Sequence, residues 1–222
     1  MTKNILITGA NRGIGYALSK NYAEQGDKVF AVCRTSTQAL RDLSGITVID
    51  GIDVTDDQKL DVLKNILDNI NLDIIINNAG IMTEEVFGEI ESKDLVQQFV
   101  VNAVAPLKLT QALRKNLSTG SKVIFITSRM GSASDNTSGG YYGYRMSKSA
   151  LNSAGVSLAQ DLKPDNISVI MLHPGFVQTD LVGNQGDISA AESAKNLIKR
   201  IGQLNIEHSG EFWHANGEQL PW

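Results

Sequence analysis

Short apolar runs alternate along this chain with longer stretches in which apolar residues recur every three to four positions. Asn4–Thr8, Lys28–Cys33, Ile46–Ile49, Lys122–Thr127 and Ile167–Leu172 are of the first kind and read as strands. Asp73–Asn77 is the plainest: Ile74, Ile75 and Ile76 leave no polar position between them, as in a central parallel strand covered on both faces. The periodic stretches read as helices. Ala17, Leu18, Tyr22 and Ala23 share one face, and Leu60, Leu63, Ile66, Leu67 and Ile70 line the apolar side of a helix predicted over Thr55–Ile70, with Thr55 as its cap. A long helical region over Ser92–Leu117 is interrupted at Asn102–Pro106. Another helix runs from Tyr144 through Ala150, Leu151, Ala154 and Leu158 to Leu162, stopping before Pro164. A capped helix over Ser189–Ile201 and a last strand near Glu211–His214 follow. Strands that alternate with helices predict an α/β fold.

Composition narrows the class without changing that picture. A chain of 222 residues, 42% hydrophobic, suits one domain over residues 1–222 with a substantial core. A net charge of −4 with no basic run argues against nucleic acid and against a membrane surface as partners, and no apolar run reaches transmembrane length. Cys33, the lone cysteine, excludes an internal disulfide and fits a reducing, cytoplasmic setting.

The candidate chemistry gathers where predicted strands end. Asn4–Thr8 runs into Gly9-Ala10-Asn11-Arg12-Gly13-Ile14-Gly15 and then a helix. Glycines let backbone approach a pyrophosphate closely, and the helix start offers free amide groups and a positive dipole end. The second strand ends at Arg34, where a dinucleotide site of this kind meets the adenosine ribose. An acid there accepts from a 2′-hydroxyl; Arg34 and Arg12 instead offer guanidinium groups to a 2′-phosphate, favouring NADP(H), with NAD(H) as the alternative. Asn77 and Asn78 either face a ligand or tie neighbouring loops together, and the second role suits them better. Pro106 has no NH to give the Asn102 carbonyl, leaving an acceptor free in mid-helix. Ser128 ends the fifth strand, and the Pro174-Gly175 turn ends the sixth, where backbone groups can meet a carboxamide. His173 reads as structural. Tyr144 and Lys148 stand one helical turn apart, so the ammonium can favour the ionised phenol and allow proton exchange near neutral pH.

With these residues in this order, the sequence resembles the short-chain dehydrogenase/reductase family over nearly its whole length, and its Gly139-to-Lys148 segment and closing Leu-Pro-Trp are similar to sniffer-like carbonyl reductases and C-factor-type proteins. The resemblance implies a single-domain Rossmann fold, a doubly wound parallel sheet with helices on both faces. It implies NADPH-dependent reduction of a small-molecule carbonyl, with a non-catalytic dinucleotide-sensing or signalling protein as the alternative. Tyr144 would give the proton, Lys148 would lower its pKa and hold the nicotinamide ribose, Ser128 would polarise the carbonyl and Asn102 would hold a relay water. Gly9, Gly13, Ile14 and Gly15 would meet pyrophosphate, and Asn11 and Arg12 belong to the same turn. Asp53 and Val54 would meet the adenine, Asn78, Ala79 and Gly80 the neighbouring ribose, and Pro174, Gly175, Val177 and Thr179 the nicotinamide. A homodimer or homotetramer is expected from the family and from the small residues of the Tyr144 helix.

One departure bears on the acid. Ser128 and Tyr144 are a few residues further apart than the common family spacing, Asp135–Gly140 looking like the insertion, and Tyr141 stands at the common distance. Four residues beyond Tyr141 is Arg145, which holds its proton too firmly to replace the lysine, so Tyr144 is preferred. Met82, Met130, Phe176 and Leu181 are the candidate apolar substrate contacts.

Overall fold

The computed structural model describes residues 2–222. Seven strands, all parallel, form one sheet: β1 (Asn4–Thr8), β2 (Lys28–Val32), β3 (Ile46–Ile49), β4 (Ile74–Asn77), β5 (Lys122–Ile126), β6 (Ser168–His173) and β9 (Phe212–His214), in the order β3-β2-β1-β4-β5-β6-β9. Two further strands, β7 (Val177–Gln178) and β8 (Ile188–Ser189), pair with each other outside it. This is the doubly wound Rossmann arrangement, with the strand order reversing between β1 and β4.

The alternation of side chains along a strand explains both layers. Leu6, Phe30, Ile75, Val123, Phe125, Val169 and Met171 point to one face and pack against α3 (Asp57–Ile66), α5 (Ala105–Ala112) and α6 (Tyr142–Leu162). Ile5, Ile7, Val29, Ala31, Ile74, Ile76, Ile124, Ile170 and Leu172 point to the other, against α1 (Gly13–Glu24), the short α2 (Gln38–Arg41) and α7 (Ala190–Gln203). With both faces covered, the central strands need no polar position in their middle; the edge strand β3 keeps Thr47 exposed.

The predicted helices exist, with shifted ends. The third begins at Asp57 and is capped by Asp56, whose carboxyl accepts from Gln58 N and Lys59 N; Thr55 instead gives its hydroxyl and NH to Asp53. It ends at Ile66, which is 49% exposed, so Ile66 is not on the core side. The region predicted as one interrupted helix is α4 (Ser92–Phe99), a wider π turn over Val100–Val104, then α5. Such turns add a residue to the helical winding and re-aim the side chains beyond them. Small residues of α6 are used partly inside the chain: a Cβ on Gly155 would lie 2.4 Å from Met171 Sδ, so that glycine lets the helix sit directly on the sheet. Among the described residues, no helix is long and apolar enough to cross a membrane.

Candidate active site

The carboxyl ends of β1, β2, β4, β5 and β6 open into one cavity of about 1050 Å³. Following the strand order, its wall runs from Arg34, Asp53 and Val54, past Gly9, Asn11, Arg12, Gly13 and Ile14, then Asn78, Ala79 and Gly80, to Tyr144, Lys148, Pro174 and Thr179. All of these are among the candidate residues of the sequence. Gly15, Gly175, Val177, Ser128 and Asn102 do not line it.

The floor is the glycine turn, and its sequence follows from close approaches. Gly9 and Gly13 take positive φ, +64° and +53°, where L side chains are strained. A Cβ on Gly15 would fall 2.2 Å from the Gly9 carbonyl oxygen, so this glycine brings the start of α1 against the turn instead of touching a ligand. Asn78 bolts the turn to β4: its Nδ2 donates to the Thr8 carbonyl (2.9 Å), while its own NH and that of Ala79 donate to Thr8 Oγ1 (both 3.0 Å). Asn77 donates to Thr110 Oγ1 at 3.3 Å. Both asparagines therefore tie elements together.

Arg12 and Arg34 both lie on the charged rim of the cavity, each beside an acid. Arg12 reaches across the cavity mouth to Asp180, 3.1 Å away and exposed like itself. Arg34 is exposed and faces Asp53, whose carboxyl is held below the usual range first by the Thr55 NH and then, less strongly, by the Thr55 hydroxyl and the Arg34 charge. Asp180 lies in the segment after Pro174-Gly175, where Gly13 would place a Cβ 3.2 Å from Thr179 Cγ2. Sequence reading missed Asp180, along with Gln97, Val100, Val101, Gln178 and Asn184, which also line the cavity. Of the proposed apolar contacts, Leu181 lines it. Phe176 is 47% exposed.

At the other side, α6 enters with Tyr144 and Lys148 buried, at 8% and 4% exposure. Tyr141 takes the left-handed conformation (φ 51°) just before the helix and does not line the cavity. Lys148 Nζ donates to the Ile126 carbonyl at 2.9 Å and stands 5.6 Å from the centre of the Tyr144 ring. Burial pushes the Tyr144 phenol up to about 12, against a smaller lowering by hydrogen bonding with Ser128. Burial also pushes the Lys148 ammonium down to about 8. The expectation that the lysine lowers the phenol's pKa is thus not met in this arrangement, because both groups lose water and the ammonium is directed at a carbonyl.

Ser128 follows β5 and accepts from Met130 NH at 3.1 Å. The turn after it is fixed to α6: Gly131 O accepts from Ser149 Oγ (2.8 Å), and a Cβ on Gly131 would lie 2.8 Å from the Lys148 carbonyl carbon. Asn102, fully buried on the π turn, accepts from Ile81 NH (2.9 Å) and donates to Ile81 O (2.8 Å) and Ser147 Oγ (3.0 Å). Gly80 lies close enough that a Cβ there would be 3.2 Å from Asn102 Oδ1 and 3.8 Å from Lys148 Nζ. His173 is buried edge-on against His214, 4.7 Å between ring centres, and burial holds it near 3, so it stays neutral as a structural histidine. Among the described residues, no cluster of histidine, cysteine or acid could hold a metal.

A glycine cradle at a helix start beneath a cavity of this volume, with cationic groups at its rim, fits an extended dinucleotide. The chain is 38% identical over 224 residues to a 1-hydroxy-2-glutathionyl-2-methyl-3-butene dehydrogenase of Rhodococcus sp. (strain AD45), covering 98% of this chain and 99% of that one. It is 42% identical over 154 residues to the C-signal of Myxococcus xanthus, covering 68% and 93%. The carbonyl reductase Sniffer of D. melanogaster superposes with a TM-score of 0.91 at 30% identity, covering both chains fully. An NADPH-bound carbonyl reductase from chicken fatty liver superposes at 0.88 and 28%, covering 100% of this chain and 99% of that one. Residues 3–202 match the short chain dehydrogenase family, and the chain belongs to it.

Proposed function

We propose that the chain reduces an aldehyde, ketone or quinone carbonyl to an alcohol with NADPH. The observation that carries this reading is that Tyr144 and Lys148, one turn apart on α6, line the same cavity that the glycine turn floors. When bound, NADPH supplies the hydride to the carbonyl carbon.

The residues would do the rest. Gly9, Gly13 and the first amides of α1 hold the pyrophosphate, Asp53 and Val54 meet the adenine, and Arg34 with Arg12 meets the 2′-phosphate. Asn78, Ala79 and Gly80 meet the adjoining ribose, and Pro174 and Thr179 the carboxamide; Gly15, Gly175 and Val177 shape these walls from behind. Ser128, beside Tyr144 just behind the cavity wall, donates a hydrogen bond to the carbonyl oxygen once the substrate stands against Tyr144. Tyr144 gives that oxygen its proton, and the resulting phenolate is reprotonated from water by way of Lys148, with Asn102 holding the route in place. Positioning and a held acid are what the protein contributes. The NADP(H)-bound carbonyl reductases among the structural neighbours support NADP(H) as a cofactor, and Arg34 is what favours it over NAD(H) in this reading.

The test is NADPH oxidation against a panel of aldehydes, ketones and quinones, with cofactor binding followed separately by nicotinamide fluorescence. Turnover of at least one class is expected. The likeness to C-signal favours a second reading, a dinucleotide-binding signalling protein. Bound NADPH with no turnover across the panel would select it, and failure to bind either dinucleotide would defeat both.

A further inference from the structure

The helix that carries Tyr144 starts without a cap of its own. Tyr141, at the N-cap position, makes no side-chain bond to the first turn, and no acidic residue lies in that turn. The partner comes from elsewhere in the chain. Glu85, in the loop after β4, is 5% exposed, and its Oε2 accepts from the NH of Gly143, 3.1 Å away. Its Oε1 accepts from Thr83 Oγ1 at 2.6 Å and from Gln98 Nε2. Gln98 is fully buried on α4; its Oε1 accepts from Thr83 NH at 3.1 Å and its Nε2 also donates to Thr83 Oγ1 at 2.7 Å. All three groups facing the carboxyl are donors, so the site matches a carboxylate and no other acid-derived group of that size.

The approach is close enough to dictate sequence. A Cβ on Gly143 would fall 2.3 Å from Gln98 Nε2 and 3.0 Å from Glu85 Oε1. Gln98 and Asn102 are four residues apart, and both clasp the same loop, Gln98 at Thr83 and Asn102 at Ile81. Each then reaches α6, Gln98 through Glu85 to Gly143 and Asn102 directly to Ser147. The attachment points flank Tyr144 on both sides along the helix.

We infer that Glu85 is a positioning residue: with Gln98 it forms a buried clasp that caps α6 from outside and sets where the Tyr144 hydroxyl stands in the cavity. The inference rests on the proposed role of Tyr144. A carboxylate at a helix start also compensates the amide dipoles there, so the clasp supplies charge as well as geometry. Displacing a reacting group by an ångström can cost about a hundredfold in rate.

The experiment compares Glu85→Gln, Gln98→Glu and the double exchange, with Tyr144→Phe as the reference. Glu85→Gln turns an acceptor into a donor facing other donors, so kcat should fall about tenfold or more, with NADPH affinity and substrate KM little changed. The double exchange restores one carboxylate and one amide to the clasp and should recover most of the loss. The phenolate absorbance of Tyr144, taken as the difference between each chain and its Tyr144→Phe counterpart, should titrate at a different pH in Glu85→Gln, whether or not a substrate is turned over. An unchanged kcat, an unmoved titration, or loss of melting temperature alone overturns the inference. If Tyr144→Phe keeps full turnover, the reading of Tyr144 fails instead, and the titration still decides whether the clasp positions it.

Discussion

Lys148 Nζ gives its hydrogen bond to the Ile126 carbonyl, 2.9 Å away, while standing 5.6 Å from the centre of the Tyr144 ring. The lysine is thereby anchored to the end of β5, beneath the phenol it has been expected to assist, and it is 4% exposed. Burial brings its folded pKa down from 10.5 to about 8. Below about pH 8 both folded and unfolded chains hold the proton, and the folded state bears the cost of a buried charge. Between about 8 and 10.5 the unfolded chain binds more protons, so stability rises with pH and the cost disappears. Relative to the parent, the ligand-free Lys148→Met protein should therefore be better off by about 3 kcal/mol at pH 7 than at pH 10.5, over a pH-independent cost of about 1 kcal/mol for the lost hydrogen bond to Ile126. Chemical denaturation at the two pH values measures the difference.

Tyr144→Phe removes the hydroxyl and keeps the ring. Loss of a positioned acid should lower kcat/KM by roughly 10²- to 10⁴-fold, with cofactor binding retained. Tyr141→Phe, outside the cavity wall, should leave most of the rate. Initial rates of NADPH oxidation compare the two, and the opposite pattern would assign the acid to Tyr141.

Arg34 is exposed beside Asp53 at the end of the cavity proposed to take the adenosine. On the role proposed for Arg34, Arg34→Glu sets a like charge against the 2′-phosphate, so the ratio of NADPH to NADH use should fall by about tenfold to a hundredfold, the equivalent of one to two charge-assisted hydrogen bonds. NADH should lose little. The ratio of kcat/KM for the two cofactors reads this directly, and an unchanged ratio would place 2′-phosphate recognition elsewhere.

Gly15→Ala asks a methyl group to occupy a point 2.2 Å from the Gly9 carbonyl oxygen and 2.6 Å from Asn78 Nδ2. The turn or the helix must shift, at a cost of roughly 1–3 kcal/mol or more. Both melting temperature and NADPH affinity should drop, since the same displacement opens the turn proposed to hold the pyrophosphate. A variant with intact binding would show that the turn yields without losing its shape.

The strands were the most legible part of this fold, for a physical reason. Runs such as Ile74-Ile75-Ile76 have no solvent face to interrupt them, and β1 and β3 begin and end where the apolar pattern does. Helix ends were less so, because caps depend on competition between neighbouring side chains: Thr55 is a good cap by type, but Asp53 takes its hydroxyl and the helix starts on Asp56. The glycine turn, Tyr144 and Lys148 stand out by spacing, since the chemistry proposed for them requires particular residues at particular intervals, and the structure brings them to one cavity. Glu85 could not. A glutamate in a polar loop looks solvated, and its burial depends on Gln98 and Gly143 arriving from separate helices. The π turn is likewise set by tertiary demands, those of the two amide side chains that must both reach the loop at Ile81 and Thr83.

Arg12 and Asp180 meet across the cavity mouth although 168 positions separate them along the chain. The floor of the site is made from the first strand and helix, but the rim opposite it belongs to a segment synthesised much later. While the chain is being made, β1 also waits for β4 to pair on its second side, and Thr8 for Asn78, 70 positions on. Closing loops of this length costs entropy before any contact repays it, which slows folding. The cavity is therefore complete only once both ends of the chain are in place, and a nascent chain ending short of Asp180 carries the glycine turn with one wall missing.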